Sequence, residues 1–263
     1  MKTIASAIRE ALLTSDCLDK VKATRKLVRD WRRGYLDLAF DVHMPDFPER
    51  PSKPVLLPPN KMPKRGKAGS LRNQVALWHS LAHIEFVAID LALDIVGRFG
   101  DEMGQEFISD FLSVAADEAM HFALLSRKLA TLGSFYGELP AHDGLWQAAF
   151  ETRHDIAARL AIVPMVLEAR GLDVTPRTIE RIGAAGDKNG VMILERILAD
   201  EIRHVGLGTK HFVSFANHKG EEPQLSWQNL VKRYFKGKVK APFNVSARLE
   251  AGLSQDFYAA IAS

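Results

Sequence analysis

Two hexapeptides in this chain read almost alike: Ala116-Asp117-Glu118-Ala119-Met120-His121 and Ala199-Asp200-Glu201-Ile202-Arg203-His204. They lie 83 residues apart, and stepping back 33 residues from each glutamate reaches another, Glu85 and Glu168. The array is therefore Glu followed by Glu-x-x-His, twice, in an internal repeat. On an α-helix, positions i and i+3 share a face, so each Glu-x-x-His presents a carboxylate and an imidazole toward one point. That pattern is built from helices, and it constrains the fold more than any other feature of the chain.

The faces that carry these groups are apolar. Phe111, Val114, Ala115, Phe122 and Leu125 surround Glu118 at helical spacing, and Leu194, Ile197, Leu198 and Val205 surround Glu201. Glu85 lies with Trp78, Leu81, Ala82, Ala88 and Ile89, and Glu168 with Ala161, Pro164 and Met165. Four charged glutamates facing a hydrophobic interior would each cost several kcal/mol unless neutralised. Two divalent cations balance four carboxylates, and two neutral imidazoles complete the donor set. With 15 Glu and 9 His in 263 residues, chance supplies roughly half of one Glu-x-x-His, whereas the chain holds three. The third, Glu151-Thr152-Arg153-His154, has no preceding Asp and lies too far along its helix from Glu168 to share a metal. It reads as a surface pair or a second site. Asp117 and Asp200 precede their glutamates in both halves and are placed to accept from the histidines and orient them, with Arg203 as a partner for one of them.

Around this array the reading is all-α, in three parts. Residues 1–69 hold short helices, with Asp16 and Asp19 near a helix start, and then a basic arm. Seven prolines between His43 and Lys67 forbid regular helix or central strand there, so the arm is extended, wrapped over the body or acting as a linker. Residues 70–217 carry four long helices: Leu71 to Phe99, Met103 to Leu132, Gly144 to Arg170 and Asp187 to Asn217. Gly100 and Asp101 turn the first into the second, the third stops at Gly171, and Thr175-Pro176 opens a short helix before the fourth. Residues 218–263 form a helical extension. Net charge follows the same division, because residues 1–72 carry 16 Lys/Arg against 8 Asp/Glu while residues 73–217 carry 12 against 20. The acids sit where the metals are expected.

The six residues Glu85, Glu118, His121, Glu168, Glu201 and His204 resemble the ligand set of the ferritin-like diiron-carboxylate superfamily. The wider text, including Pro140-Ala141-His142-Asp143-Gly144-Leu145-Trp146 and Leu167-Glu168-Ala169-Arg170-Gly171-Leu172-Asp173, resembles a bacterial ferritin-like family of unassigned function. Among characterised groups the pattern is similar to the tRNA hydroxylase that acts on an isopentenylated adenosine. The resemblance implies a ferritin-like four-helix bundle holding two Fe ions, with Mn as an alternative, and an enzyme that activates dioxygen to oxidise or hydroxylate a small molecule or modified nucleoside.

On that reading the six ligands are also the catalytic residues. An external electron donor is expected, because a single cysteine, Cys17, builds no iron–sulfur cluster. The interruption at Gly171 places a substrate pocket near Glu168, with Arg170 as a fixed positive charge for an anionic group. Iron handling on the same metals, by ferroxidase or peroxide chemistry, is the alternative. A third reading is a nucleic-acid-binding protein with structural metals, in which Lys61, Lys64, Arg65, Lys67 and Arg72 meet tRNA. His79 and His83 point away from Glu85, His83 by about 200°, and read as packed or capped. The lone cysteine and the lack of an apolar run of roughly 18 residues fit a cytoplasmic protein with no membrane span.

Overall fold

The computed structural model describes residues 1–63 and 70–263. It is mostly helical, and the chain divides into two compact units, Met1–Gln147 and Ala148–Ser263. Among the described residues the only paired strands are β1 (Lys2–Thr3) and β2 (Leu36–Asp37), a two-residue parallel ladder. Of the basic residues proposed to meet tRNA, Lys64, Arg65 and Lys67 lie outside the described residues.

In the first unit α1 (Ile4–Leu12) and α2 (Cys17–Arg32) begin at side-chain caps. Thr3 accepts from the Ser6 amide, and Asp16 accepts from those of Leu18 and Asp19. Each cap satisfies amides that a helix start leaves without partners. Val21, Leu27 and Val28 are buried, whereas Leu18 at the head of the same expected stripe is exposed. Both helices pack on α3 (Leu71–Thr131), the long helix that carries three of the expected ligands. The helix does not turn at Gly100 and Asp101 as its sequence suggests. It breaks at Gly104, whose φ of 83° and ψ of −179° suit only glycine. Gly100 serves packing instead, since a Cβ there would come within 2.5 Å of the Phe40 ring.

The proline-rich arm is tied down at several points between Pro45 and Leu57. Glu49 donates its amide to Leu12 O at 2.9 Å, and Arg98 Nη2 donates to Pro45 O at 2.7 Å. The amides of Leu57 and Ala141 bond to Ala141 O and Val55 O at 2.8 and 3.0 Å. Beneath it Lys20, fully buried, donates to Glu49 O at 2.9 Å and to Asp90 at 2.5 Å. Arg50 joins Asp90 to Asp143. The described part of the arm is thus a strap on the first unit, held both by backbone hydrogen bonds, including a bridge between Leu56 and Ala141, and by side chains.

The third expected helix is not continuous, and the reasons are local. α4 (Gly144–Glu151) ends, Asp155 caps α5 (Ile156–Ile162), and a π-helical turn, Val163–Glu168, leads into α6 (Ala169–Ala184). Buried Arg159 holds the α4–α5 junction, donating to Ala149 O at 2.6 Å and to Thr152 Oγ1 at 3.1 Å. α6 then runs through both Gly171 and Pro176, so neither is a helix boundary. Pro176 lacks the amide that would bond to Leu172 O, and Asn244 Nδ2 donates to that carbonyl at 3.2 Å in its place. α7 (Lys188–His218), α8 (Pro223–Tyr234), α9 (Val245–Glu250) and α10 (Gln255–Tyr258) complete the second unit. The C-terminal helices are anchored to α6 by a buried bidentate pair, Arg248 to Asp173 at 2.8 and 2.7 Å. Among the described residues no helix is long and apolar enough to cross a membrane.

Candidate metal centre

Glu85 lies on α3 before the Gly104 break, and Glu118 and His121 lie after it. The three are buried, at 5%, 1% and 0% exposure, and their ligand atoms lie within 4.8 Å of one another. His121 Nδ1 is 3.0 Å from Glu85 Oε2 and 3.4 Å from Glu118 Oε2. A carboxylate only accepts, so Nδ1 carries the proton in the contact with Glu85. The environment is apolar: Trp78, Phe86, Val114, Ala115, Phe122 and Leu125 are buried, and the Phe86 and Phe122 rings are 5.1 Å apart. Such a pocket disfavours bare charge on two carboxylates and favours a cation among them.

The second unit repeats the local geometry. Glu201 and His204 are buried on α7, with His204 Nδ1 3.5 Å from Glu201 Oε1. Both Glu-x-x-His pairs therefore bring the same imidazole nitrogen toward their own glutamate, as the i, i+3 spacing requires. Glu168 is half-buried at the last position of the π-helical turn. This turn begins at Val163–Pro164 and packs on α7, where Gly208 leaves room for Pro164: a Cβ at Gly208 would fall 2.4 Å from Pro164 Cβ. The wider π turn is a costly local geometry that recurs at functional sites, and it ends on the expected ligand.

The remaining expected residues are placed as follows. Asp200 accepts from Arg196 Nε at 2.6 Å on its own helix. Asp117 is half-buried on α3, and Arg203 is exposed on α7. Arg170 Nη1 donates to Lys240 O and Pro242 O at 2.9 and 3.1 Å and lies 3.5 Å from Asp173, so its charge fixes the C-terminal chain against α6. Glu151, of the third Glu-x-x-His, pairs with Lys236 at the surface.

His79 and His83 are packed, as read from the sequence. His79 Nε2 accepts from the amides of Gly137 and Leu139 at 2.9 and 3.4 Å. His83 Nε2 donates to His142 O at 3.0 Å, which leaves Nδ1 to accept from the Tyr136 hydroxyl at 2.9 Å. Burial lowers the pKa of both imidazoles, that of His83 to about 4, and raises that of the Tyr136 phenol. Sequence reasoning passed over Tyr136, which stands between the two histidines and the Phe86–Phe122 pair. No repeat or spacing marks it.

Fold and site together define a mostly helical protein with a buried carboxylate–imidazole cluster suited to a metal ion. Residues 13–259 match the family described as "Protein of unknown function (DUF455)", and the chain belongs to that family. A relative from Haemophilus influenzae described as an uncharacterized protein is 38% identical, covering 94% of this chain and 90% of the relative. No solved structure matches the chain.

Proposed function

We propose that the protein is a dimetal, ferritin-like carboxylate oxidoreductase, in which two irons activate dioxygen to oxidise an organic substrate. In this reading the sequence repeat supplies Glu168, Glu201 and His204 as the counterparts of Glu85, Glu118 and His121 in a two-fold ligand set. The two halves of α3, the α5–α6 segment and α7 then act as the four helices of a bundle. The observation that carries the proposal is the buried Glu85–Glu118–His121 trio, whose oxygen and imidazole donors suit iron or manganese, together with its sequence repeat at Glu168, Glu201 and His204.

Bound iron would supply the electrons that reduce dioxygen. The chain supplies charge balance, orientation and dryness. Four glutamates offset two divalent cations. For Nδ1 to become a ligand, the neutral His121 ring must hold its proton on Nε2 instead, a change of tautomer that releases no net proton. Phe86, Phe122 and Leu125 keep water from the trio. Arg196 fixes the carboxylate of Asp200 next to Glu201. Electrons arrive from an external donor, since Cys17 is the single cysteine.

Oxygen uptake tests the reading. Anaerobic protein loaded with ferrous iron and supplied with a chemical reductant should consume dioxygen on mixing, and Glu168→Ala should abolish most of that uptake while leaving the helical circular dichroism unchanged. Uptake no faster than that of ferrous iron free in buffer would refute it.

A further inference from the structure

A cavity opens in the first unit, and none of Glu85, Glu118 and His121 lines it. It has a volume of about 470 Å³ and runs between the start of α3 and the segment Leu139–Leu145. This is the size range of small-molecule sites. Ala76, Ile84, Pro140 and Leu145 give it an apolar wall. Among the described residues its polar lining contains an arginine, three imidazoles, two serines and an asparagine, and no carboxylate.

Three features give this lining one electrostatic sense. Arg72 brings a guanidinium at the first turn of α3, with no ion-pair partner among the described residues. The amino end of α3, capped by Ser70, adds the positive pole of a long helix. The third feature is His79, 2% exposed. Its Nε2 accepts two backbone amides, so the neutral ring must carry its proton on Nδ1. That N–H has no hydrogen-bond partner among the described residues. The ring lines the cavity, and an acceptor on a ligand there would give that N–H its partner. His83 offers no such donor, since both its nitrogens are engaged.

We propose that this cavity binds a small organic carboxylate with an apolar body, its anionic end between Arg72 and the His79 Nδ1–H. The hydrocarbon part lies along Ala76, Ile84, Pro140 and Leu145. The site is separate from the metal proposal and holds whether or not Glu85, Glu118 and His121 bind iron.

Titration calorimetry on the full chain tests it with three probes of one shape: 2-naphthoate, 2-naphthylmethylamine and 2-naphthamide. The expected order is naphthoate tightest, the neutral amide weaker and the amine without measurable binding. Arg72→Gln, at an exposed position, should weaken naphthoate by about three- to tenfold and leave the amide within twofold, as removal of one charge-assisted contact would. Ala76→Phe should abolish binding of both by filling the space. A thermal melt confirms that each variant folds. Long-range nitrogen spectra should show the His79 Nδ1 resonance shifting on naphthoate addition. Equal affinity for anion and amine, wild-type binding in Ala76→Phe, or an unmoved His79 resonance would overturn the proposal.

Discussion

Replacing Asp90 by Ala tests how the amino-terminal helices and the strap are held. Lys20 and Asp90 are both fully buried, 2.5 Å apart, on α2 and α3. Removing the carboxylate leaves an ammonium in the interior, a loss of about 3–5 kcal/mol for typical buried pairs. Lys20 keeps Leu12 O at 3.3 Å and Glu49 O at 2.9 Å as acceptors, so the lower end, about 3 kcal/mol, is expected. Lys20→Met should cost less, about 2 kcal/mol, because Asp90 retains Arg50 Nε at 3.4 Å. The double variant Lys20→Met, Asp90→Leu replaces the pair by apolar volume and should come within about 1–2 kcal/mol of the parent. The assay is urea unfolding followed by circular dichroism on these variants and on Asp90→Leu, which with Lys20→Met, the double variant and the parent closes a cycle. Costs that simply add in the double variant, or an Asp90→Ala cost below about 1 kcal/mol, would refute the reasoning.

Asn244→Ala removes the cap of α9 and the donor to Leu172 O and should cost about 2 kcal/mol; in a Pro176→Ala background, where residue 176 regains its amide, urea melts should give about 1 kcal/mol less. Gly104→Ala forces a side chain into a conformation reserved for glycine and should destabilise by about 1–3 kcal/mol, readable as a lower midpoint at unchanged slope. His83 stays neutral in the fold down to about pH 4, whereas an unfolded histidine takes its proton near 6.5. Its contribution is therefore complete above pH 6.5 and is lost as pH falls toward 4, by about 3 kcal/mol in all. Melts from pH 7 to 4 should show a shallower decline in His83→Phe than in the parent.

The Glu and Glu-x-x-His repeat was legible because helical spacing turns sequence distance directly into shared faces. The apolar neighbours of Glu85, Glu118 and Glu201 marked those faces as buried, and burial follows. The prolines of the arm likewise forbade an α-helix or a central strand, and its described part holds a single short 3-10 turn, Pro59–Lys61. Where the chain misled, a tertiary contact overrode a local signal. Gly171 and Pro176 are ordinary stops, yet α6 passes through them because Asn244, some seventy residues on, supplies the donor that Pro176 lacks. Gly100 reads as a turn but is a packing site for Phe40. Asp155 and Arg159 break the third helix through contacts that no periodicity reports. Lys20 reads as one more solvated charge on a basic helix, and only its distance to Asp90 identifies it as a buried anchor.

The central claim is that the two glutamate–histidine halves form one dimetal site, and metal content measures it most directly. Protein grown with iron and manganese, purified and dialysed against metal-free buffer, should hold two metal ions per chain by elemental mass spectrometry. Glu118→Ala with Glu201→Ala should hold none while keeping its helical circular dichroism, since the remaining carboxylates of an empty site can take up protons. Two ions per chain retained in that double variant, or a parent that binds no iron or manganese at all, would contradict the account.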